Sequence, residues 1–363
     1  MKYYIISGEQ SGDTHAANLV ASIKRRDTNA SFRVWGGDRL KAEGVELVKH
    51  IKELAFMGFW EVLINLPNIL KNIAFCKKDL LRFLPDALIL VDYPGFNFRI
   101  ARFANKHGIK VFYYISPQIW AWKKNRINQI REYVDRMFVI LPFEKRFYQE
   151  NDVDVDFVGH PLLDEIAKDN SPFSIKTNKE IIALLPGSRK QEIQKILPQM
   201  LKIVESFPDY QFVVAAINTV EESFYRNILK KKDVCLAKAE TYGLLKNAKA
   251  ALVTSGTATL EAALFSVPQI VCYKTNPISF QIAKRLVKTK FISLVNIIMD
   301  KLVVKELIQS ELNAKNLKSS LIEMLEVSNS EQIQKDYRVL VDKLGNSGAS
   351  NRVAQFIIED ILK

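Results

Sequence analysis

Cysteine is scarce in this chain: three in 363 residues, Cys76, Cys235 and Cys272, with no Cys-x-x-Cys pair. That spacing argues against a zinc site or a disulfide framework and suits a reducing cytoplasm. Only four histidines are present, and His160, in GHP, has no evident serine or cysteine partner, so triad chemistry is unsupported. The glycines of SGEQSGD near the N-terminus are not spaced as GxGxxG, so no dinucleotide fingerprint is present there. No apolar run reaches the about 20 uninterrupted residues of a spanning helix. The nearest, 54–75, is broken by Glu61, Asn65, Pro67, Asn68, Lys71 and Asn72. It reads either as a buried helical hairpin or as an exposed patch that dips into a membrane interface. The opening MKYYIISGEQ has too short an apolar run for a signal peptide. Acidic residues are outnumbered, 40 against 52 Lys plus Arg, which leaves a net charge of +12 and favours anionic partners. The basic runs KRR, KKNR and KKK are dispersed and carry no RNA-binding aromatic motif. Solvated helix faces explain them, and a nucleic-acid-binding protein is the weaker reading.

What the chain does have is alternation. Apolar runs at 2–6, 32–35, 87–91, 110–115, 136–141 and 156–158 read as strands, with helical patterns between them, for example at 98–106 and 125–133. A polar stretch around 166–179, with Pro172, reads as a linker. A second series follows, with strands at 181–185, 211–216, 234–238, 250–254 and 269–273, and a mostly helical chain from 301 onward. The expected fold is α/β: two Rossmann-like, doubly wound domains facing each other across a cleft, with a helical C-terminus. The expected boundaries are 1–165, 180–345, and a last helix, 346–363, that packs back on the first domain. Ligands belong at the carboxyl ends of the strands.

Four turns at such ends carry chemistry. SGEQSGD places Glu9, Ser11 and Asp13 after the first strand, where such turns face a ligand; on these residues alone a tight turn with Asp13 as helix N-cap is the better reading. VDYPGFN ends a fully apolar strand on Asp92, well placed as a general base, with a loop cap as the bland alternative. LLPGSR puts Arg189 at a helix start, where free N–H groups favour an anion. SGTATLE repeats that geometry through Ser255, Gly256 and Thr257, with Glu261 one turn on as a partner for ribose hydroxyls or a dipole-complementing acid. SPQIWAW carries Trp120 and Trp122 beside Lys123, Lys124 and Arg126, an arrangement for stacking on a sugar or for closing a core edge. Asp152, Asp154 and Asp156 alternate with Val153, Val155 and Phe157, which reads as a half-exposed strand rather than a metal-binding Asp-x-Asp.

These motifs, with MGFWEVL, LPFEKRFY, FVGHP and AKRLVKT…SLVN, occur in one order along nearly the whole chain. In that set the chain closely resembles the lipid-A-disaccharide synthases, inverting glycosyltransferases of the two-Rossmann, B-type fold. The resemblance implies transfer of 2,3-diacylglucosamine from UDP-2,3-diacylglucosamine to the 6-hydroxyl of 2,3-diacylglucosamine 1-phosphate. The products are then the β-1,6 lipid A disaccharide 1-phosphate, an intermediate of lipopolysaccharide, and UDP. It also implies no cofactor and no metal, no nucleic-acid partner, and peripheral attachment to the cytoplasmic face of the inner membrane; it leaves open a homodimer. Carried over by motif, Asp92 is the base and Glu9 the second catalytic acid, with Ser11, Asp13, Trp120 and Trp122 on the acceptor side. The UDP side falls on Arg189, Ser255, Gly256, Thr257, Glu261 and Asn296. The membrane patch falls on Phe56, Met57, Phe59, Trp60, Leu63 and Leu66. Two positions depart from the family pattern: Gln10 stands where a small residue is usual, and LVNIIMD around Asn296 lacks the usual proline and glycine. A sugar-nucleotide epimerase of the same fold is the rival enzyme, but it leaves the 54–75 patch unexplained.

Overall fold

The computed structural model describes residues 1–54, 66–122, 126–230, 232–287 and 289–363. The chain forms two compact units, one of Met1–Asp164 with Leu344–Lys363 and one of Glu165–Lys343. The first is built on seven parallel strands: β1 (Lys2–Ser7), β2 (Ser31–Gly36), β3 (Glu46–His50), β4 (Ala87–Val91), β5 (Lys110–Tyr114), β6 (Arg136–Val139) and β7 (Asp156–Phe157). Their order is β3-β2-β1-β4-β5-β6-β7. The central strand β4, ALILV, is buried along its whole length, as a parallel strand covered on both faces must be. β3, ELVKH, was not expected: it is a half-buried edge strand with two polar residues at its end, so its apolar signal is weak.

The second unit has six parallel strands: β8 (Glu180–Leu185), β9 (Tyr210–Ala216), β10 (Val234–Lys238), β11 (Ala248–Thr254), β12 (Gln269–Tyr273) and β13 (Lys305–Ile308). Their order, β10-β9-β8-β11-β12-β13, repeats the plan of the first sheet. The chain after 301 is mostly helical, as expected, but it begins with β13, a strand the sequence did not announce. Its sequence KELI has the composition of a helix, and pairing with β12 overrides that preference. In both sheets the strand order reverses beside the first strand of the unit, between β1 and β4 and between β8 and β11. A ligand crevice forms at such a switch point, outside the carboxyl ends of the strands.

The last helix, Ala349–Leu362, packs on the helix Gln10–Lys24 within the first unit. The Asp164 carboxylate accepts from the backbone N–H groups of Gly348 and Ser350, and Arg352 donates to the Val158 carbonyl at 2.7 Å. His160 lies buried beside this junction. Burial pushes its pKa down to about 3, and its Nδ1 accepts from Leu162 N–H at 3.2 Å, so it is a neutral structural group.

Candidate active site

In the first unit, the loops after β1 and β4 meet. The register Ser7↔Val91 brings both strand ends level, so Gly8-Glu9 and Asp92-Tyr93 lie side by side. A Cβ on Gly8 would sit 2.2 Å from the Tyr93 ring, so only glycine lets the two loops approach this closely. Asp92 and Tyr93 both adopt left-handed backbone, at φ +46° and +49°. Each non-glycine residue held there costs about 1–3 kcal/mol, and such strain collects at functional sites. Asp92 is half-buried, and its pKa is pushed up to about 7, first by burial and then by the negative charge of Glu9; a hydrogen bond from Tyr93 N–H acts in the opposite direction. A carboxylate with a pKa near neutrality suits general-base work.

The rest of SGEQSGD behaves differently from expectation. The helix begins at Gln10, with Glu9 in the N-cap position, so Asp13 is not the cap of its own helix. It is buried, and its carboxylate accepts from Gly37 N–H at 2.6 Å, Arg39 N–H at 2.9 Å and Leu40 N–H at 3.2 Å. Asp13 thus caps the neighbouring helix Asp38–Ala42 and fixes the loop after β2. Ser11 is exposed. Trp120 is half-buried, donates Nε1–H to Glu144 at 3.2 Å and meets Phe143 edge to face. Glu144, absent from the sequence expectations, is buried and also accepts from Leu141 N–H at 3.0 Å; burial pushes its pKa up to about 7. The Trp122 side chain and residues Phe56, Met57, Phe59, Trp60 and Leu63 lie outside the described residues, while Leu66 opens the helix Leu66–Phe83. The Asp152–Asp156 row forms a strand only at Asp156–Phe157, and Asp156 pairs with Arg136 at 2.7 Å. Among the described residues, no three His, Cys, Asp or Glu side chains are grouped as metal ligands.

In the second unit, the turns after β8 and β11 flank the switch point. Arg189 is the N-cap residue of the helix Lys190–Met200, half exposed, and its Nη1 lies 3.5 Å from Glu192. Glu192 also accepts from Ser188 N–H at 3.2 Å, so a carboxylate already rests on the N–H groups that would meet an anion. Gly187, at φ +119°, leaves space for it: a Cβ there would stand 2.7 Å from Glu192 Oε2. Gly256, at φ +145°, opens the helix Thr257–Leu264 and faces open space. Ser255 Oγ–H donates to the Ile292 carbonyl at 2.8 Å. Glu261 is half-buried, with its pKa pushed up to about 7 by burial, and accepts from the Tyr242 hydroxyl at 3.3 Å.

Asn296 has a different place from the one expected. It is fully buried; Nδ2 donates to Val304 O (2.8 Å) and Glu306 Oε1 (2.9 Å), and Oδ1 accepts from Val303 and Val304 N–H (2.8 and 3.0 Å). A side-chain amide has two donors and two acceptor lone pairs, so nothing remains to offer a nucleotide. Glu306 in turn accepts from Ile292 and Ser293 N–H, at 3.1 and 2.9 Å. Asn296 and Glu306 therefore shape the segment that Ser255 grips. Glu306 escaped the sequence reading because its strand was not foreseen.

Two parallel α/β units, each with a polar turn pair at its own switch point, define the two-Rossmann class of glycosyltransferases and sugar-nucleotide epimerases. Over the whole chain the structure is similar to the UDP-GlcNAc 2-epimerase of Neisseria meningitidis bound to UDP-GlcNAc, with a TM-score of 0.65 at 15% identity and 100% of both chains covered. It is also similar to the glycotransferase of kitacinnamycin, with a TM-score of 0.68 at 14% identity, covering 100% of this chain and 99% of that one. Those identities speak for the fold alone. Sequence relatives separate the two chemistries. The lipid-A-disaccharide synthetase family model matches residues 3–359. The lipid-A-disaccharide synthase of Syntrophus aciditrophicus is 41% identical, over 99% of this chain and 97% of its own. That of Geobacter sulfurreducens is 36% identical, over 98% and 96%. The chain belongs to the lipid-A-disaccharide synthase family, and it is a glycosyltransferase.

Proposed function

We propose that this chain joins two acylated glucosamines into the lipid A disaccharide, using UDP-2,3-diacylglucosamine as donor and 2,3-diacylglucosamine 1-phosphate as acceptor. The observation that carries the residue assignment is the strained Asp92, a carboxylate pushed up to about 7 at the end of a buried strand. Its Oδ takes the proton from the acceptor 6-hydroxyl as that oxygen attacks the anomeric carbon. The bond to the UDP oxygen breaks on the opposite face, so the configuration inverts to β. Glu9 keeps the Asp92 pKa high and positions the acceptor. The leaving diphosphate carries negative charge that has to be met as it develops. In the second unit Arg189 and the N-termini of the helices Lys190–Met200 and Thr257–Leu264 offset that charge, with the Arg189–Glu192 pair opening to admit the phosphates. Glu261 takes the ribose hydroxyls.

The acceptor and donor both carry acyl chains, so the enzyme works at a lipid surface. The first turns of the helix Leu66–Phe83 and the preceding segment supply the apolar contact. The deciding experiment incubates the purified protein with both acylated substrates and looks for the disaccharide and UDP by mass spectrometry. UDP release with no disaccharide, or a sugar nucleotide epimerised in place of transfer, would overturn the reading.

A further inference from the structure

The carbonyl of Asp92 receives two short hydrogen bonds from fully buried side chains. The Tyr113 hydroxyl donates at 2.6 Å, and Asn97 Nδ2 donates at 2.6 Å. The same Asn97 amide reaches the Val91 carbonyl at 3.4 Å, while the Asp92 N–H donates to the Tyr114 carbonyl at 3.2 Å. Every polar atom of the Asp92 main chain is thus tied down, and by three residues from two different elements, β5 and the helix Pro94–Lys106. The position they hold is one a non-glycine residue avoids. Left-handed φ at two successive residues persists only where the surroundings over-determine it. Asn97 Oδ1 is buried with no hydrogen-bond partner among the described residues. An asparagine kept in the core at that cost is there for its donor end.

We propose that Tyr113 and Asn97 are positioning residues for the transfer reaction: they clamp the Asp92 carbonyl and so hold the left-handed turn that aims its carboxylate. The inference rests on Asp92 being the base. A side chain at a left-handed residue points in a direction the ordinary β or α conformation does not reach, so relaxing the turn swings the carboxyl group away. Neither clamp residue touches the carboxylate through these bonds; both act through the main chain.

The test is a double-mutant cycle on the rate of the chemical step in single turnover, with both substrates saturating. Tyr113→Phe removes one oxygen and keeps the ring that fills the core. We expect it to lower the rate about 10- to 100-fold, the scale of a misplaced catalytic group, with the KM for the UDP-sugar unchanged. In the Asp92→Asn background the same substitution should change the rate little, because there is no base left to aim. Asn97→Leu, which keeps volume and drops the donor, should behave in the same way and carries the cycle if Tyr113→Phe fails to fold. A wild-type rate in both single variants would overturn the clamp. So would an undiminished effect of either in the Asp92→Asn background, since that is the behaviour of a general loss of structure. A near-normal rate in Asp92→Asn itself would instead remove the base assignment, and the two failures are told apart by that one variant.

Discussion

At Asp92, reactivity and stability pull in opposite directions. Its folded pKa, about 7, lies above the ordinary carboxylate value, so the native state holds a proton that the unfolded chain has lost between about pH 4 and 7. Stability from this group is present at low pH and disappears as pH rises through 7, where a charged carboxylate must stay half-buried. Asp92→Asn should therefore melt at a higher temperature than the parent at pH 8, with the gap closing toward pH 4. An equal or lower melting temperature at pH 8 would mean the group is not strained by its charge. The same variant should lose about 10²–10⁴-fold in kcat, the usual contribution of a general base. Glu9→Gln should act more mildly on kcat and raise the acceptor KM. It also removes a negative charge that raises the Asp92 pKa, so the acid limb of its pH–rate profile should move to lower pH. A limb that stays in place would dissociate Glu9 from the base; collapse in Glu9→Gln beside near-normal kcat in Asp92→Asn would exchange the two roles. The sequence displayed Asp92 plainly, as the first polar residue after ALILV. It could not display the clamp, because Tyr113 sits in the apolar run VFYY and reads as core. Its partner is a main-chain carbonyl 21 residues away that only the pairing of β4 with β5 brings near.

Strands and helices were legible wherever their own residues decided them. β4, β10 and β12 fall where their apolar runs place them: β4 and β12 are buried along nearly their whole length, as covered parallel strands must be, while β10 is a half-buried edge strand whose run VCLA still marks it. β3 and β13 were hidden because edge pairing, not composition, makes them strands. The same limit explains Asn296. LVNIIM forms the short helix Leu294–Met299, and the Asn296 amide on it is occupied in part by Glu306, whose strand was invisible. On the second unit the elements make a prediction of their own. In the proposed reaction two helix N-termini and Arg189 meet the diphosphate, so Arg189→Ala should weaken UDP binding by about 1.5–3 kcal/mol, as expected for a charged hydrogen-bond partner. In the same proposal Glu261 accepts two ribose hydroxyls as a carboxylate, so its pKa, pushed up to about 7 by burial, makes part of the affinity pH-dependent. UDP should bind more tightly at pH 8 than at pH 6, and Glu261→Gln should both weaken binding and flatten that difference. Calorimetric titrations that come out unchanged for both variants would place the nucleotide elsewhere.

For the molecule as a whole, the question is how a chain with a net charge of +12 meets acylated substrates. Among the described residues no helix is long and apolar enough to cross a membrane. The helix Leu66–Phe83 buries Ile73, Cys76 and Leu80, yet leaves Leu66, Leu70 and Phe75 43%, 55% and 48% exposed. Lys71 and Lys78 are exposed on the same helix. Apolar side chains flanked by lysines suit the boundary of an anionic bilayer, where acyl contact and headgroup charge add. Preceding them in sequence, FMGFWEVLI adds further apolar residues, Phe59, Trp60 and Leu63 among them. Exposed positions tolerate polar substitution with little loss of stability, within about 0.5 kcal/mol. Leu66→Ser with Leu70→Ser should thus leave the melting temperature unchanged and release protein from phosphatidylglycerol vesicles in a sedimentation assay. Removing two leucines from a lipid contact costs on the order of 3 kcal/mol, so retention should fall by a factor of about 100. Phe59→Ser, Trp60→Ser and Leu63→Ser together should do the same. The headgroup contribution should weaken from 0.05 to 0.5 M salt, as the Debye length shrinks to a few ångströms, whereas the leucine contribution should not. Should the double variant stay on the vesicles, this helix is not the contact; should the triple variant unfold, its aromatic residues belong to the core and the surface must be sought elsewhere.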